Sequence, residues 1–177
     1  MIVVHLAGYP ADMDPIMELA ESKELVVIED CAQAHGAKYK GVSVGSIGDV
    51  GAWSFCQDKI MTTGGEGGMV TTNNKKIWNK MWSFKDHGKS FDAVYHRDHP
   101  EGFRWLHESI GTNWRMMEIQ AALGRIQLNK MPKWHAARAA NAARLKEVFK
   151  EYGGAAISVP DPEDLSLIHI SEPTRPY

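Results

Sequence analysis

Near the start of the sequence an apolar run, a helix-periodic segment and a second apolar run follow one another within thirty residues, and few folds accept that order. Ile2 to Leu6 reads as a strand, and Gly8-Tyr9-Pro10 as a turn, since proline disfavours a helix interior. Asp12 or Asp14 can cap a helix starting near Pro15, with Ile16, Met17, Leu19 and Ala20 as its apolar face. Leu25 to Ile28 reads as a second strand, apolar enough to be covered on both faces. Strand, helix, strand at this spacing predicts a right-handed βαβ unit with a parallel strand pair. The fold class is therefore α/β, a mostly parallel sheet flanked by helices.

Further along, Val50 to Phe55 and Met69 to Thr72 read as short strands. Lys75 to His87 reads as a helix with Ile77, Trp78, Met81 and Trp82 on one side, and Gly88 to Ile110 as a long loop. Met116 to Leu128 has helical spacing, Pro132 interrupts it, and a second helix runs from Trp134 to Tyr152, ended by Gly153-Gly154. Leu165 to Arg175, LSLIHISEPTR, resembles the translation of a sequencing-library adapter, so 165–177 is set aside as a non-native tail.

Composition removes several function classes. A net charge of -2 gives no basic field for nucleic acid or membrane surfaces. No apolar run is long enough to span a bilayer, and the start lacks the order of a signal peptide, so the cytoplasm is the expected location. Cys31 and Cys56 make no disulfide framework and read as reduced, small, buried residues. His96, His99 and His107, near Asp98 and Glu108, lack the spacing of a metal pair on one helix, so no metal is expected.

The chemistry concentrates between residues 30 and 68. Asp30 follows the second predicted strand, where α/β sheets bind ligands, although a turn or capping aspartate also fits. Ser54 lies near the end of the next strand, and Lys59 follows it, ahead of Gly64-Gly65-Glu66-Gly67-Gly68. A lysine amine condenses with an aldehyde, a hydroxyl binds a phosphate, and a carboxylate keeps a ring nitrogen protonated. Those are three parts of a pyridoxal phosphate site. The glycine run fits neither a Walker loop nor a dinucleotide fingerprint, and reads as a tight turn that leaves Glu66 structural. His35 could orient Asp30 or lie against a cofactor, but a lone histidine is more often structural.

Asp30-x-x-Gln33-x-His35-Gly36, Ser54-Phe55-x-x-x-Lys59 and Gly65-Glu66-Gly67-Gly68, in this order, resemble the DegT/DnrJ/EryC1/StrS family of pyridoxal phosphate-dependent sugar aminotransferases, from about Val3 to about Tyr152. The resemblance implies an incomplete large domain of the aspartate-aminotransferase type, fold type I. It implies that Lys59 attaches the cofactor and moves protons, Asp30 pairs with the ring nitrogen, Gln33 meets the phenolic-oxygen side and Ser54 binds the phosphate. Gly111-Thr112-Asn113-Trp114-Arg115 resembles the family's Gly-x-Asn-x-Arg motif, which implies a homodimer with Asn113 reaching the partner's cofactor phosphate. The alternative is that Asn113 or Thr112 caps the following helix, and Arg115 could hold an anion or a surface ion pair.

The implied activity is amino transfer, with glutamate the expected donor, to a nucleotide-linked keto-sugar, feeding amino-sugar or polysaccharide biosynthesis such as lipopolysaccharide. A sugar-nucleotide dehydratase of the same family and a catalytically silent regulator are the alternatives. The dehydratases carry histidine at the position of Lys59. Residues 1–155 are expected to form part of the cofactor-binding domain, and 156–164 the start of a linker toward a second domain. By itself such a fragment is expected to be inactive. Phe103 and Trp105 could shape a sugar-nucleotide pocket.

Overall fold

The computed structural model describes residues 1–102 and 107–151. Phe103, Trp105, Tyr152, the glycine pair, the linker and the tail lie outside the described residues. The chain folds as two compact units, one of Met1–Thr71 with the chain from Ile119 onward, the other Thr72–Glu118.

In the first unit, β1 (Ile2–Val4), β2 (Ile28–Asp30), β5 (Val50–Ser54) and β6 (Gly68–Thr71) form one sheet in the order β1-β2-β5-β6. The first two pairings are parallel and β5 with β6 is antiparallel. The predicted βαβ unit is present, with α1 (Met13–Ser22) as its crossover. Its strands are shorter than expected. Leu6–Gly8 closes a 3-10 turn with Ala7 at φ 54, which ends β1 before Leu6. Leu25 to Val27 stay outside the sheet because other partners take their amides: Leu25 N–H bonds Ala20 O, and Val27 N–H bonds Asp49 Oδ2. Leu25 and Val26 are exposed, so apolar character there does not signal a strand covered on both faces.

Helix α1 begins after Asp12, whose carboxylate accepts the Tyr39 hydroxyl at 2.6 Å rather than capping the helix. Met13 and Ala20 are its buried residues, and Leu19, expected inward, is exposed. A hairpin that the sequence reading missed joins β3 (Lys38–Tyr39) to β4 (Val42–Ser43). Lys40 and Gly41, at φ 46 and 82, form its two-residue turn, and left-handed φ at both centres is the geometry that suits strand twist.

The expected pair of C-terminal helices is a single helix, α4 (Glu118–Glu151), with Pro132 inside it. Proline loses the N–H bond that would reach the Leu128 carbonyl and its ring crowds that carbonyl, but the flanking turns keep their own bonds, so a helix held elsewhere continues through it. Met131 is buried, and Gln127 Oε1 accepts the Thr62 amide at 2.8 Å.

In the second unit, Asn74 Oδ1 caps α2 (Lys75–Lys85) by accepting Lys76 and Ile77 amides. The stretch expected to be one long loop contains α3 (Phe91–Tyr95), capped by Ser90 Oγ on the Ala93 amide. Phe91 meets Trp78 and Trp82 edge-on at 5.1 and 5.2 Å, and this aromatic packing holds the short helix against α2. Among the described residues no helix is long and apolar enough to cross a membrane.

Candidate functional site

Register decides which side chains can meet at the carboxyl edge of the sheet. Asp30 ends β2 and pairs with Ala52 of β5. Paired residues of parallel strands share a sheet face, and side chains alternate along a strand. Asp30, Ala52 and Ser54 therefore share one face, with the smallest side chain between the two polar ones. One strand spacing and two residue rises place the Asp30 and Ser54 Cα atoms about 8 Å apart. Val4, the β1 partner of Asp30, belongs to the same face and is 50% exposed, so this face is open in the unit.

The opposite face is closed. Val3 and Glu29 point into it, and Glu29 is fully buried. Its Oε2 accepts from His5 Nε2 at 3.0 Å and the Gly45 amide at 2.7 Å, and its Oε1 from the Ile47 and Gly48 amides at 2.9 and 2.7 Å. His5 Nδ1 accepts the Ala11 amide, so the ring proton sits on Nε2, aimed at Glu29. Burial alone raises the Glu29 pKa, but the His5 bond and the three amide bonds outweigh it and hold the carboxyl below its ordinary value. Gly51, the β5 partner of Glu29, has no room for a side chain: a Cβ would lie 2.5 Å from Gly45 O.

His5, Glu29 and Cys31 bring ligand-type atoms within 4.8 Å of one another. Their donors and acceptors are engaged with each other and with backbone, and burial, with the Glu29 and Asp30 charges, pushes the Cys31 thiol up to about 12. The arrangement is a structural clamp. Of the histidines weighed as metal ligands, His99 Nε2 bonds Ala93 O and His107 Nδ1 bonds His87 O, both in the second unit.

On the open face, Asp30 Oδ1 accepts the Ala32 amide at 3.0 Å. Gln33 Oε1 accepts the Ala7 amide at 2.7 Å, which turns its Nε2 into the outward, donating end. Among the described residues Ser54 Oγ makes one long contact, accepting the Cys56 amide at 3.4 Å. The chain then turns, with Lys59 N–H on Cys56 O, and Phe55 N–H bonds Gly67 O to close the loop. Lys59 is half-buried, and a hydrogen bond with Cys56, then the Lys59 charge, lower the pKa of the neighbouring Asp58. Gly64 and Gly65, at φ 79 and 146, make the return turn. Cys56, expected to be buried, is half-exposed, and its thiol donates to Glu66 Oε1. A hydrogen bond with Asp58, then burial and Glu66, raise that thiol above its ordinary value.

Asn113 lies in the second unit. It is not a helix cap, because α4 begins only at Glu118, and neither is Thr112. Asn113 forms a β-bridge with Asp86 instead, and its Oδ1 accepts from Arg115 Nε at 3.1 Å. Arg115 Nη1 also lies 3.5 Å from Asp86 Oδ1, in a pair whose arginine is half exposed and whose aspartate side chain is only 13% exposed. Sequence reasoning missed the roles of Glu29 and His5. The signal was there: a carboxylate inside the run Val26-Val27-Ile28-Glu29 demands buried partners.

The model of the DegT/DnrJ/EryC1/StrS aminotransferase family matches residues 1–172. The chain belongs to that family. GDP-perosamine synthase of Escherichia coli O157:H7 is 47% identical over 130 residues, 73% of this chain and 33% of that protein. The X-ray structure of the aminotransferase from Psychrobacter cryohalolentis matches with a TM-score of 0.84 at 67% identity, over 86% of this chain and 38% of that one. S. venezuelae DesV, solved in complex with a ketimine intermediate, matches with a TM-score of 0.76 at 33% identity, over 94% of this chain and 42% of that one. The fold is thus the fold type I aminotransferase architecture, in part. The chain spans 33–42% of the length of these relatives.

Proposed function

We propose that the full-length protein is a pyridoxal phosphate-dependent aminotransferase that moves an amino group from glutamate to a keto-sugar carried on a nucleotide. The observation that carries this reading is the register that sets Asp30 and Ser54 on one open face, with Lys59 in the turn that follows. Pyridoxal phosphate supplies an aldehyde and an electron-withdrawing ring when bound. The residues fit it. Asp30 keeps one oxygen beyond its Ala32 bond for a ring N–H. Gln33, its carbonyl already taken, donates from Nε2 toward a phenolic oxygen. Ser54 donates its hydroxyl to a phosphate without adding charge. Lys59 would hold the cofactor covalently through Nζ and, once the amino donor has displaced it, its released amine would move the proton at the substrate carbon. Lys59 also weighs against the dehydratase reading, which places histidine there. The nucleotide-linked substrate class follows the GDP-perosamine synthase among the relatives.

The full-length protein mixed with the cofactor is expected to gain a visible absorption band, and borohydride to fix the cofactor on the peptide containing Lys59. Fixation on a different lysine, or no band, sinks the assignment.

Asn113 is proposed to serve the partner subunit's site in a homodimer. Mixed subunits test this. In a hybrid of Lys59→Ala and Asn113→Ala subunits, one site carries both defects and the other carries neither. Mixing two inactive variants should therefore restore about a quarter of native activity, since half of randomly paired dimers are hybrids with one intact site each. No restoration places Asn113 in its own subunit's site.

A further inference from the structure

His35 is 4% exposed and has no part in the chemistry above. We propose that His35 is a positioning residue that sets the spacing between the acid end of the cofactor site, Asp30 and Gln33, and its phosphate end, Ser54. This rests on the cofactor reading just given.

Carbonyls two residues apart on a strand point to the same side. The Ala52 carbonyl accepts the Cys31 amide, the last backbone bond that β2 offers to β5. Beyond Asp30 the chain leaves the sheet in tight turns, with Ala34 N–H on Cys31 O and Ala37 N–H on Ala34 O. The next carbonyl on that side of β5 is Ser54 O, and His35 Nε2 donates to it at 2.8 Å. A side chain thus continues the ladder where the strand has ended. The imidazole also lies between the side chains flanking Ser54, 5.6 Å from the Trp53 ring and 5.9 Å from Phe55. It meets three consecutive residues, Trp53 and Ser54 of β5 and Phe55 just beyond it. Gln33 sits in the same short loop, and Asp30 at its root, so the histidine bond fixes this loop against the strand end that bears Ser54.

The test uses the full-length protein and reads cofactor affinity by absorbance titration, with unfolding of the cofactor-free form as the control. His35→Leu is expected to weaken pyridoxal phosphate binding about tenfold, the effect of one hydrogen bond. His35→Gln, whose amide nitrogen can donate from a similar position, is expected to recover to within about threefold of native. If His35→Leu gives no folded protein, His35→Asn, with an amide too short to reach Ser54, takes its place. The deciding comparison is a double-mutant cycle: on a Ser54→Ala background the loss from His35→Leu should shrink to less than about threefold. An unchanged affinity in His35→Leu, or the same loss on both backgrounds, overturns the positioning role. Native affinity in Ser54→Ala overturns the phosphate assignment beneath it instead.

Discussion

Lys59→Ala in the full-length protein is expected to lower amino transfer by roughly 10²–10⁴-fold, the contribution of a positioned proton-transfer group. The amine lies in a turn pinned at both ends, by Phe55 N–H on Gly67 O and by Lys59 N–H on Cys56 O, so no other lysine inherits its position. The variant should still bind the cofactor through Asp30, Gln33 and Ser54, reversibly and without borohydride fixation. Steady-state transamination with glutamate and a nucleotide-linked keto-sugar, alongside the absorption spectrum, measures both. Retained activity in Lys59→Ala would refute the mechanism. Loss of binding together with activity would indicate a folding defect, and Lys59→Arg then separates the two, since it keeps the charge and cannot condense.

The sequence shows which short runs enter the sheet more clearly than it shows the bonds that orient their ends. Asp30 and Ser54 close their strands because each follows a short apolar run, and such runs are visible locally. The bonds that orient them are long-range. Gln33 is held by Ala7, His35 by the Ser54 carbonyl, and Thr62 by Gln127 of α4. No local period encodes these partners. The errors have the same origin. Leu25 to Val27 are apolar but are claimed by Ala20 and Asp49, and Pro132 breaks a pattern without breaking the helix. Lys40-Gly41 was a local signal for the hairpin that the reading passed over. Asn113 was read as a possible cap because a helix follows it, yet the helix starts five residues later.

Replacing Glu29 is expected to have the largest effect on stability. In Glu29→Ala the Gly45, Ile47 and Gly48 amides and the His5 Nε2 proton lose their acceptor in a fully buried place. Breaking a buried, hydrogen-bonded charge cluster from one side costs about 3–5 kcal/mol, measurable by urea unfolding. The loop from Gly45 to Gly48 should loosen first, and with it the close contact of Gly45 with Gly51 behind Asp30. Glu29→Gln keeps one carbonyl acceptor and should lose less. The pH dependence has a fixed sign. The folded-state pKa lies below the ordinary value of 4.5, so the unfolded chain binds the proton more readily. The stabilisation is complete above about pH 4.5 and is lost as pH falls through the folded value. The stability gap between the native protein and Glu29→Gln should therefore narrow on acidification below that point. A gap that widens toward acid would show that Glu29 is held in its protonated form, and the clamp described here would be wrong.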